Sequence, residues 1–594
     1  MPSTPCRCVP LLAAIALLSL ASAHAQPVTT VDLAKVGIGE GVLHRTFGSR
    51  RDGLLTTNGN SGTPVAGGHD VDGDGLRDHA LASMKASPAG RTQAGEVFLV
   101  FGTGEIRGSL NTAVDQPRLL RVLGGVAHEH AGSEILMADV TGDGLGDLLI
   151  CRQDYTPSGG PAGVGALSVV VGDPDLRSLA ASGGVLDLAD PPDEITVFTL
   201  TGASLQNRLC IWARTGDVDG DDINDIVVGA DQEDGEGPDE TDRGALYLLR
   251  GGAHLASATR TLSVAAPGAA LAGRLVHITP PPGSTDYHLG ATCAIADLDG
   301  NGRGEVLGAA TLARSGASLG PAGLSGDFNG GIPRGAVFIL WDDNFTLPWP
   351  ASLRFEQAPG SRTVIRGSTA NVRLGEEILG GLDYDNDGNA DLFLGDLIAG
   401  PPDRARSGIG HVLYHAATLK NLDFALVPVP TGETASPAGL VTTTFYGPSA
   451  GAIAADTGLH GDFNGDGIDD LGFGAPNDSP LGRTGAGTLH LFLGQDGPWP
   501  ALVDLQPGSH PPPTGVRIIE MYGALGDRGA DRGDMVVYSA AAGDMDGDGR
   551  VDAIVNEMTG NGVGPDAVDV GNLLILSGVL LERLLSDGFE GGGE

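Results

Sequence analysis

Acidic residues at fixed spacing are the most chemically informative feature of this sequence. The run Asp70-Val-Asp72-Gly-Asp74-Gly-Leu76-Arg-Asp78 places carboxylates at positions 1, 3, 5 and 9 and a glycine at position 6. Together with the backbone carbonyl of position 7, these oxygens can converge on a hard cation that takes six to eight oxygen ligands. Calcium suits such a loop better than magnesium, which requires a tighter octahedral shell and keeps its waters.

The pattern occurs seven times, with starting residues separated by 69, 78, 80, 86, 79 and 82 positions. Asp and Gly also favour ordinary turns without a metal, but repetition at regular intervals favours up to seven calcium ions. The predicted ligands at positions 1, 3, 5, 7 and 9 are Asp70, Asp72, Asp74, Leu76, Asp78; Asp139, Thr141, Asp143, Leu145, Asp147; Asp217, Asp219, Asp221, Ile223, Asp225; Asp297, Asp299, Asn301, Arg303, Glu305; Asp383, Asp385, Asp387, Asn389, Asp391; Asp462, Asn464, Asp466, Ile468, Asp470; and Asp544, Asp546, Asp548, Arg550, Asp552.

The loops differ in their predicted affinity for the ion. Thr141, Asn301 and Asn464 replace aspartates in the second, fourth and sixth loops, and Glu305 ends the fourth loop. Asp222 replaces the turn glycine of the third loop. We expect the second and fourth sites to be the weakest.

The residues after each loop indicate whether a helix or a strand follows it. An EF-hand would carry a bidentate Glu at position 12 and a flanking helix. Position 12 of the first loop is Leu81, and position 9 of the second loop begins the apolar run Asp147-Leu-Leu-Ile. Such runs are typical of buried strands. We therefore expect every loop to connect two strands.

A glycine followed by an apolar run marks a third strand in every repeat, and weaker runs such as Arg118-Leu-Leu-Arg-Val-Leu123 mark a fourth. Four antiparallel strands repeated seven times predict an all-β fold, a seven-bladed β-propeller. The marker glycines are Gly95, Gly165, Gly244, Gly335, Gly410, Gly487 and Gly571.

Composition supports an all-β protein and limits its partners. The chain has 594 residues with 96 Gly and 37 Pro, which indicates many turns. Its formal net charge is −40, and the seven loops hold 25 of the 75 acidic residues at positions 1, 3, 5 and 9. Such an acidic chain repels nucleic acid, which requires a basic surface.

The termini predict an exported protein. Residues 1–25 resemble a secretory signal, with Arg7, an apolar core from Leu11 to Ala21 and the small residues Ala23 and Ala25 at the cleavage site. The apolar core is too short for a membrane anchor, and no later run approaches the ~20 apolar residues of a membrane span. We expect a secreted, periplasmic or cell-surface location, a propeller over residues 26–585 and a flexible acidic tail over 586–594.

Two further expectations concern ring closure and disulfides. Val28 to Lys35 alternates like a single strand, and we expect it to form the outer strand of the last sheet and close the ring. Cys151, Cys210 and Cys293 remain after signal cleavage. They permit at most one internal disulfide, whose pairing the sequence does not define.

The repeats resemble the FG-GAP family, which builds the seven-bladed propeller at the head of integrin α subunits. The resemblance rests on the run from Gly202 through Gly216-Asp217-Val-Asp-Gly-Asp221 to Gly244-Ala-Leu-Tyr-Leu, and on Phe473-Gly-Ala-Pro476; it covers roughly Val28 to Gly578. It implies calcium on one face of a disc and partner binding mainly through loops of the opposite face. Integrin heads carry such loops on only some blades, so integrin ligand specificity is not implied.

Short motifs do not indicate a catalytic centre. Gly316 to Gly320 and Gly447 to Gly451 fit G-x-S-x-G without the strand-to-helix context that this motif needs. Arg532-Gly-Asp534 is interpreted as coincidence, and Trp349 and Trp499 as blade packing.

The function predicted from these features is a non-catalytic, monomeric binding or adhesion module for an extracellular protein or glycan. The alternative is a secreted lyase or hydrolase with a site at the central channel. Acidic, basic and tyrosine side chains from several blades, meeting at the channel with perturbed protonation, would favour catalysis.

Overall fold

The computed structural model describes residues 28–38, 41–49, 64–104, 106–235, 240–281, 284, 286–313, 334–367, 373–426, 437, 439–507 and 515–578. These residues form seven five-stranded sheets, which confirms the predicted all-β, seven-bladed propeller. The predicted signal segment 1–25 and the tail 586–594 lie outside the described residues. None of the described helices is long and apolar enough to cross a membrane.

Most of the regular secondary structure in the described residues consists of short strands, and helices are few. In chain order the strands are β1 Thr29–Asp32, β2 Val42–Phe47, β3 Val65–His69, β4 Asp78–Ser83, β5 Glu96–Val100, β6 Gly108–Asn111, β7 Leu119–Leu123, β8 Ala131–Ala138, β9 Asp147–Arg152, β10 Ala166–Val170, β11 Val185–Asp187, β12 Val197–Thr201, β13 Ala213–Gly216, β14 Asp225–Ala230, β15 Ala245–Leu249, β16 Arg260–Ser263, β17 Leu275–Thr279, β18 Leu289–Ala296, β19 Glu305–Ala310, β20 Ala336–Leu340, β21 Ser352–Arg354, β22 Arg362–Gly367, β23 Ile378–Leu382, β24 Asp391–Asp396, β25 Ile409–Leu413, β26 Asp423–Leu426, β27 Thr442–Tyr446, β28 Gly458–Gly461, β29 Asp470–Ala475, β30 Thr488–Leu493, β31 Leu502–Asp504, β32 Arg517–Tyr522, β33 Val536–Gly543, β34 Asp552–Glu557 and β35 Asn572–Leu576. The α-helix α1 spans Pro174–Ala181, and short 3₁₀ helices span Pro88–Gly90, Asp342–Asn344, Phe355–Gln357, Ala416–Leu419 and Pro480–Gly482.

Each blade has one more strand than the sequence predicted. In the first blade β3, β4, β5 and β7 pair antiparallel, and β11 then adds to β7 in parallel. β11 belongs to the next repeat, where it lies between the third and fourth strands. The other blades gain a fifth strand in the same way. Strands of three or four residues are too short to show an alternating pattern, and this is why they were missed.

The prediction that Val28 to Lys35 forms the outer strand of the last sheet was wrong. β1 pairs in parallel with β32 and is the fifth strand of the sixth blade, while β2 pairs with β35 and is the fourth strand of the seventh. The amino-terminal segment therefore supplies the two strands that would follow β35 in a complete seventh repeat. Strand pairing in this way closes the ring.

The core consists of apolar clusters between neighbouring blades. Seven large clusters of buried side chains each combine residues of two adjacent sheets in the described part of the chain. At the joint of the seventh and first blades, Leu43, Ile554 and Phe98 are at most 4% exposed. Trp349 and Trp499 are each 3% exposed and join such clusters, which confirms their packing role.

The glycine before each third strand has a steric role at these joints. Gly95 has φ +86° and bridges Ala131 at the start of the next blade's innermost strand. A Cβ on Gly95 would lie 2.1 Å from the carbonyl oxygen of Ala131. In the fifth repeat this role belongs to Gly408, whose Cβ would lie 2.0 Å from the oxygen of Ala454. The marker assigned to Gly410 was therefore two residues late.

We expect Gly95→Ala to destabilise the propeller by about 2–5 kcal/mol, from left-handed strain together with overpacking. Gly90→Ala is a matched control, because Gly90 also has a positive φ, of +75°, but a Cβ added to it would meet no atom within 4 Å. Gly90→Ala should lower the free energy of unfolding by only about 1–2 kcal/mol. Denaturant unfolding measures both variants, and equal losses would contradict the close-contact explanation.

Of the three cysteines in the described ranges, two form a disulfide. Cys151 in β9 is bonded to Cys210, with 5.1 Å between their Cα atoms. Cys293 in β18 is unpaired and buried. The bond joins the second blade to the segment that leads into the third, so it reinforces one joint of the ring.

Candidate metal centre

Each acidic loop joins the innermost strand of a blade to the second strand, so all seven loops lie on one face of the disc. In the first loop one oxygen from each of Asp70, Asp72 and Asp78 lies within 4.8 Å of the others. The same positions converge in the third, fourth and fifth loops through Asp217, Asp219, Asp225; Asp297, Asp299, Glu305; and Asp383, Asp385, Asp391. The structure thus brings positions 1, 3 and 9 together in these four loops.

The first aspartate of each loop holds the turn in shape. Asp70 Oδ1 accepts a hydrogen bond from Gly73 N, and Asp70 Oδ2 accepts one from Gly75 N, each at 2.7 Å. The bond from the position 6 N–H recurs in the other six loops. Asp222 makes it at φ +63°, so the substituted turn of the third loop keeps the same geometry.

The ninth residue ties each loop to the rest of its blade. Asp78 Oδ2 accepts from Val71 N, and Asp78 Oδ1 accepts from Gly102 N just beyond the third strand, both at 2.7 Å. Five other loops bond both oxygens of position 9 in this way. In the fourth loop Glu305 Oε2 accepts from Leu298 N at 2.6 Å.

Burial raises the pKa of all seven ninth-position carboxyls, and neighbouring carboxylates add to the rise. The pKa is about 7 for Asp78, Asp147, Asp225 and Asp552 and about 8 for Glu305, Asp391 and Asp470. A buried carboxylate with like charges beside it favours a proton or a cation.

The side chains at the third position of the loops show whether the loops fit a metal ion. Asp219 Oδ1, Asp299 Oδ1 and Asp385 Oδ1 are buried atoms with no hydrogen-bond partner in the structure. A buried acceptor without a donor costs about 1–3 kcal/mol unless something satisfies it. Each atom belongs to a cluster of converging carboxylates, so the donor set fits a hard cation. Thr141 Oγ1, the equivalent in the second loop, is likewise buried and unpartnered.

In the four loops described above, the converging oxygens come from positions 1, 3 and 9, whereas positions 5 and 7 make other contacts. Leu76 N donates to Asp74 Oδ1 at 2.9 Å, and the N–H of position 7 bonds position 5 in the other loops as well. Arg177 Nη2 lies 2.6 Å from Asp74 Oδ2, and Arg177 Nε contacts Asp72. Arg250 bonds the third loop in the same way. These guanidinium groups partly neutralise positions 3 and 5.

The FG-GAP repeat family model matches residues 212–249. This segment runs from β13 through the third acidic loop to the end of β15. The chain carries an FG-GAP repeat. The loop and strands of the segment recur in every blade, so the molecule is an FG-GAP propeller and is consistent with the amino-terminal propeller of integrin α subunits. No curated protein matches the chain at a significant level.

A second polar site lies in the central channel of the FG-GAP propeller. A cavity of about 490 Å³ opens on the face opposite the acidic loops and is lined by residues of all seven blades. Arg214 bonds Glu134 at 2.9 Å and lies 3.8 Å from Glu377. Burial raises the pKa of Glu377 to about 7 and that of Asp456 to about 8, with Glu376 adding to the rise at Asp456.

Sequence reasoning missed this channel cluster. Glu377, Asp456 and Tyr538 each stand six residues before the first aspartate of their loops, so aligning the repeats upstream would have revealed them. Asp534 of the Arg-Gly-Asp triplet is 2% exposed and accepts from Leu525 N, which agrees with coincidence. Ser449 lies in the connection between β27 and β28, away from any strand-to-helix turn. Gly316 to Gly320 lie outside the described residues.

Proposed function

We propose that this FG-GAP propeller is an exported, calcium-binding, non-catalytic module that binds or adheres to an extracellular protein or glycan. The observation that carries the proposal is the recurrence of one acidic loop at the same end of all seven blades, with an unpartnered buried oxygen at the third position in four of the loops. Seven Ca²⁺ ions would change the formal charge from −40 to about −26 and relieve repulsion among the carboxylates. The opposite face then remains available for a partner.

The opposite face has features of a binding surface. It is built from the connections between second and third strands and between fourth and first strands. Leu205, Leu481 and Val563 lie in these connections with 60%, 66% and 57% of their surface exposed. Large apolar side chains at this exposure lose contact with water when a partner docks.

Screening the full chain against glycans and cell-surface proteins, in calcium and in EDTA, tests the function. We expect Leu481→Asp to weaken binding of the identified ligand at least about tenfold, as for an interface residue worth about 1.4 kcal/mol. Leu347 is the matched control, because it is 54% exposed but lies between β20 and β21, at the end of β20 that is next to the acidic loop.

Leu347→Asp should leave the affinity for the ligand unchanged. The proposal fails if the screens yield no ligand in calcium, or if EDTA has no effect on binding. A greater loss of affinity in Leu347→Asp than in Leu481→Asp would place the partner on the acidic face instead.

The channel cluster supports a second candidate function, a hydrolase or lyase. A carboxyl with a pKa of about 8, as at Asp456, holds a proton at neutral pH and can donate it as a general acid. Arg214 and Tyr538 line the same channel. Under this candidate, Asp456→Asn abolishes turnover of an identified substrate without lowering the melting temperature.

A further inference from the structure

A different group of metal-ligating side chains lies between the third and fourth blades, on the face without acidic loops. One oxygen of Asp242, one oxygen of Asp286 and one ring nitrogen of His288 lie within 4.8 Å of one another. Asp242 belongs to the connection between β14 and β15, and the other two residues precede β18. The group is therefore assembled from two blades and is separate from the seven loops.

The backbone at this joint repeats that of other joints, but its side chains differ. Asp286 N donates to Thr241 O and His288 N donates to Asp242 O; at the first joint His128 N donates to Thr92 O and His130 N to Gln93 O. Gln93, His128 and His130 thus occupy the places of Asp242, Asp286 and His288. Two carboxylates replace uncharged or weakly basic groups here, although the backbone does not require an acid.

Asp231 supplies an independent sign of a ligand. Its side chain is 10% exposed, and its Oδ1 is buried with no hydrogen-bond partner in the structure. Its Oδ2 lies 3.4 Å from His288 Nδ1 and 3.6 Å from Arg208 Nη1. A carboxylate that accepts the Nδ1 proton orients an imidazole and leaves Nε2 to bind a metal ion.

The local charge also favours a cation. Asp231, Asp234, Asp242 and Asp286 bring four carboxylates together, and Asp234 Oδ1 accepts from Asp242 N at 3.0 Å. Arg208 contributes one guanidinium, 3.6 Å from Asp231.

We propose that Asp242, Asp286 and His288 bind one divalent transition-metal ion such as Zn²⁺, with Asp231 orienting the histidine. A nitrogen ligand beside two carboxylates suits Zn²⁺, Co²⁺ or Mn²⁺ rather than Ca²⁺, which takes oxygen ligands. Donors of a tetrahedral zinc ion at about 2.1 Å lie about 3.4 Å apart, so side-chain shifts of about 1 Å complete the site. Three protein ligands leave a coordination position for water. This proposal is independent of the function proposed above.

Cobalt binding to the full chain tests the site. The protein is stripped with EDTA, returned to excess Ca²⁺ to saturate the acidic loops, and titrated with Co²⁺ while its visible spectrum is recorded. We expect one Co²⁺ per chain with the absorption of a four- or five-coordinate ion. Zn²⁺ should displace it.

Asp242→Asn and His288→Gln should each weaken Co²⁺ binding at least about tenfold, and Asp231→Asn by about 10–100-fold. His130→Gln at the equivalent place of the first joint should change nothing. Melting temperatures in Ca²⁺ show whether each variant is folded. The proposal is overturned if the wild-type protein shows no Co²⁺ absorption at millimolar Co²⁺. It is also overturned if Asp242→Asn and His288→Gln still bind Co²⁺, or if His130→Gln weakens Co²⁺ binding as much as they do.

Discussion

Removal of calcium with EDTA at pH 8 is expected to lower the melting temperature of the FG-GAP propeller by about 5–10 °C. Extracellular calcium modules bind with Kd values of about 10⁻⁴ to 10⁻³ M, so 2 mM Ca²⁺ would contribute about 0.7–1.8 kcal/mol for each occupied loop. Seven loops then contribute about 5–12 kcal/mol. The melting temperature of a chain of this size falls by about 1 °C for each kcal/mol of stability that is lost. Scanning calorimetry in Ca²⁺, Mg²⁺ and EDTA measures the effect.

The size of the calcium effect should depend on pH. Because burial raises the ninth-position pKa values to about 7 or 8, the ion-free folded chain holds protons that the unfolded chain releases near the ordinary pKa of 3.8. These groups therefore stabilise the ion-free fold below about pH 4, and this stability is lost as pH rises through about 8. Calcium replaces the protons, so its stabilising effect should be larger at pH 8 than at pH 5. Equal shifts at both pH values would contradict ion binding at these carboxyls.

A single-loop variant separates calcium binding from general acidity. Asp385 sits in the fifth loop with a pKa raised to about 6 by burial and by Asp387 and Asp383. Asp385→Asn should leave the melting temperature in EDTA unchanged or slightly higher, because it removes a buried negative charge. The variant should show a smaller rise in melting temperature than the wild type when calcium is added. Asp190→Asn, at an exposed aspartate outside the loops, is the control and should change neither value.

Disrupting the amino-terminal strand is expected to have the second large effect. Val31 in β1 is 4% exposed and packs in the cluster that joins the sixth and seventh blades, which also contains Met521. Val31→Asp places a charge in that cluster and should cost about 3 kcal/mol or more. Thr30 is exposed on the same strand, so Thr30→Asp should cost less than about 0.5 kcal/mol.

Deletion of residues 28–47 extends this test to ring closure. It removes β1 from the sixth blade and β2 from the seventh, which exposes the edges of β32 and β35. We expect loss of cooperative unfolding, measured by calorimetry, and rapid amide exchange in both edge strands. Cooperative melting close to that of the full chain would show that closure contributes little to stability.

The sequence predicted the loops well because their acidic side chains are close together along the chain. Asp70 and Asp78 are eight positions apart, and their spacing is fixed by the geometry of one turn, as is the strand that begins at position 9. The same local logic gave the correct number of blades. It gave the wrong marker in the fifth repeat, because Gly408 is identified by its approach to Ala454 across a blade joint rather than by the apolar run that follows.

By itself the sequence determined the repeated acidic loops, their position between strands, the number of blades and the acidic charge. Side-chain spacing over about nine residues defines the loops and the strands after them, the number of repeats gives the number of blades, and composition gives the charge. Only the tertiary structure decided the fifth strands, the closure by β1 and β2, the Cys151–Cys210 bond, the channel cluster and the Asp242, Asp286 and His288 group. These features join residues that are distant along the chain, and their contacts follow from how whole blades pack.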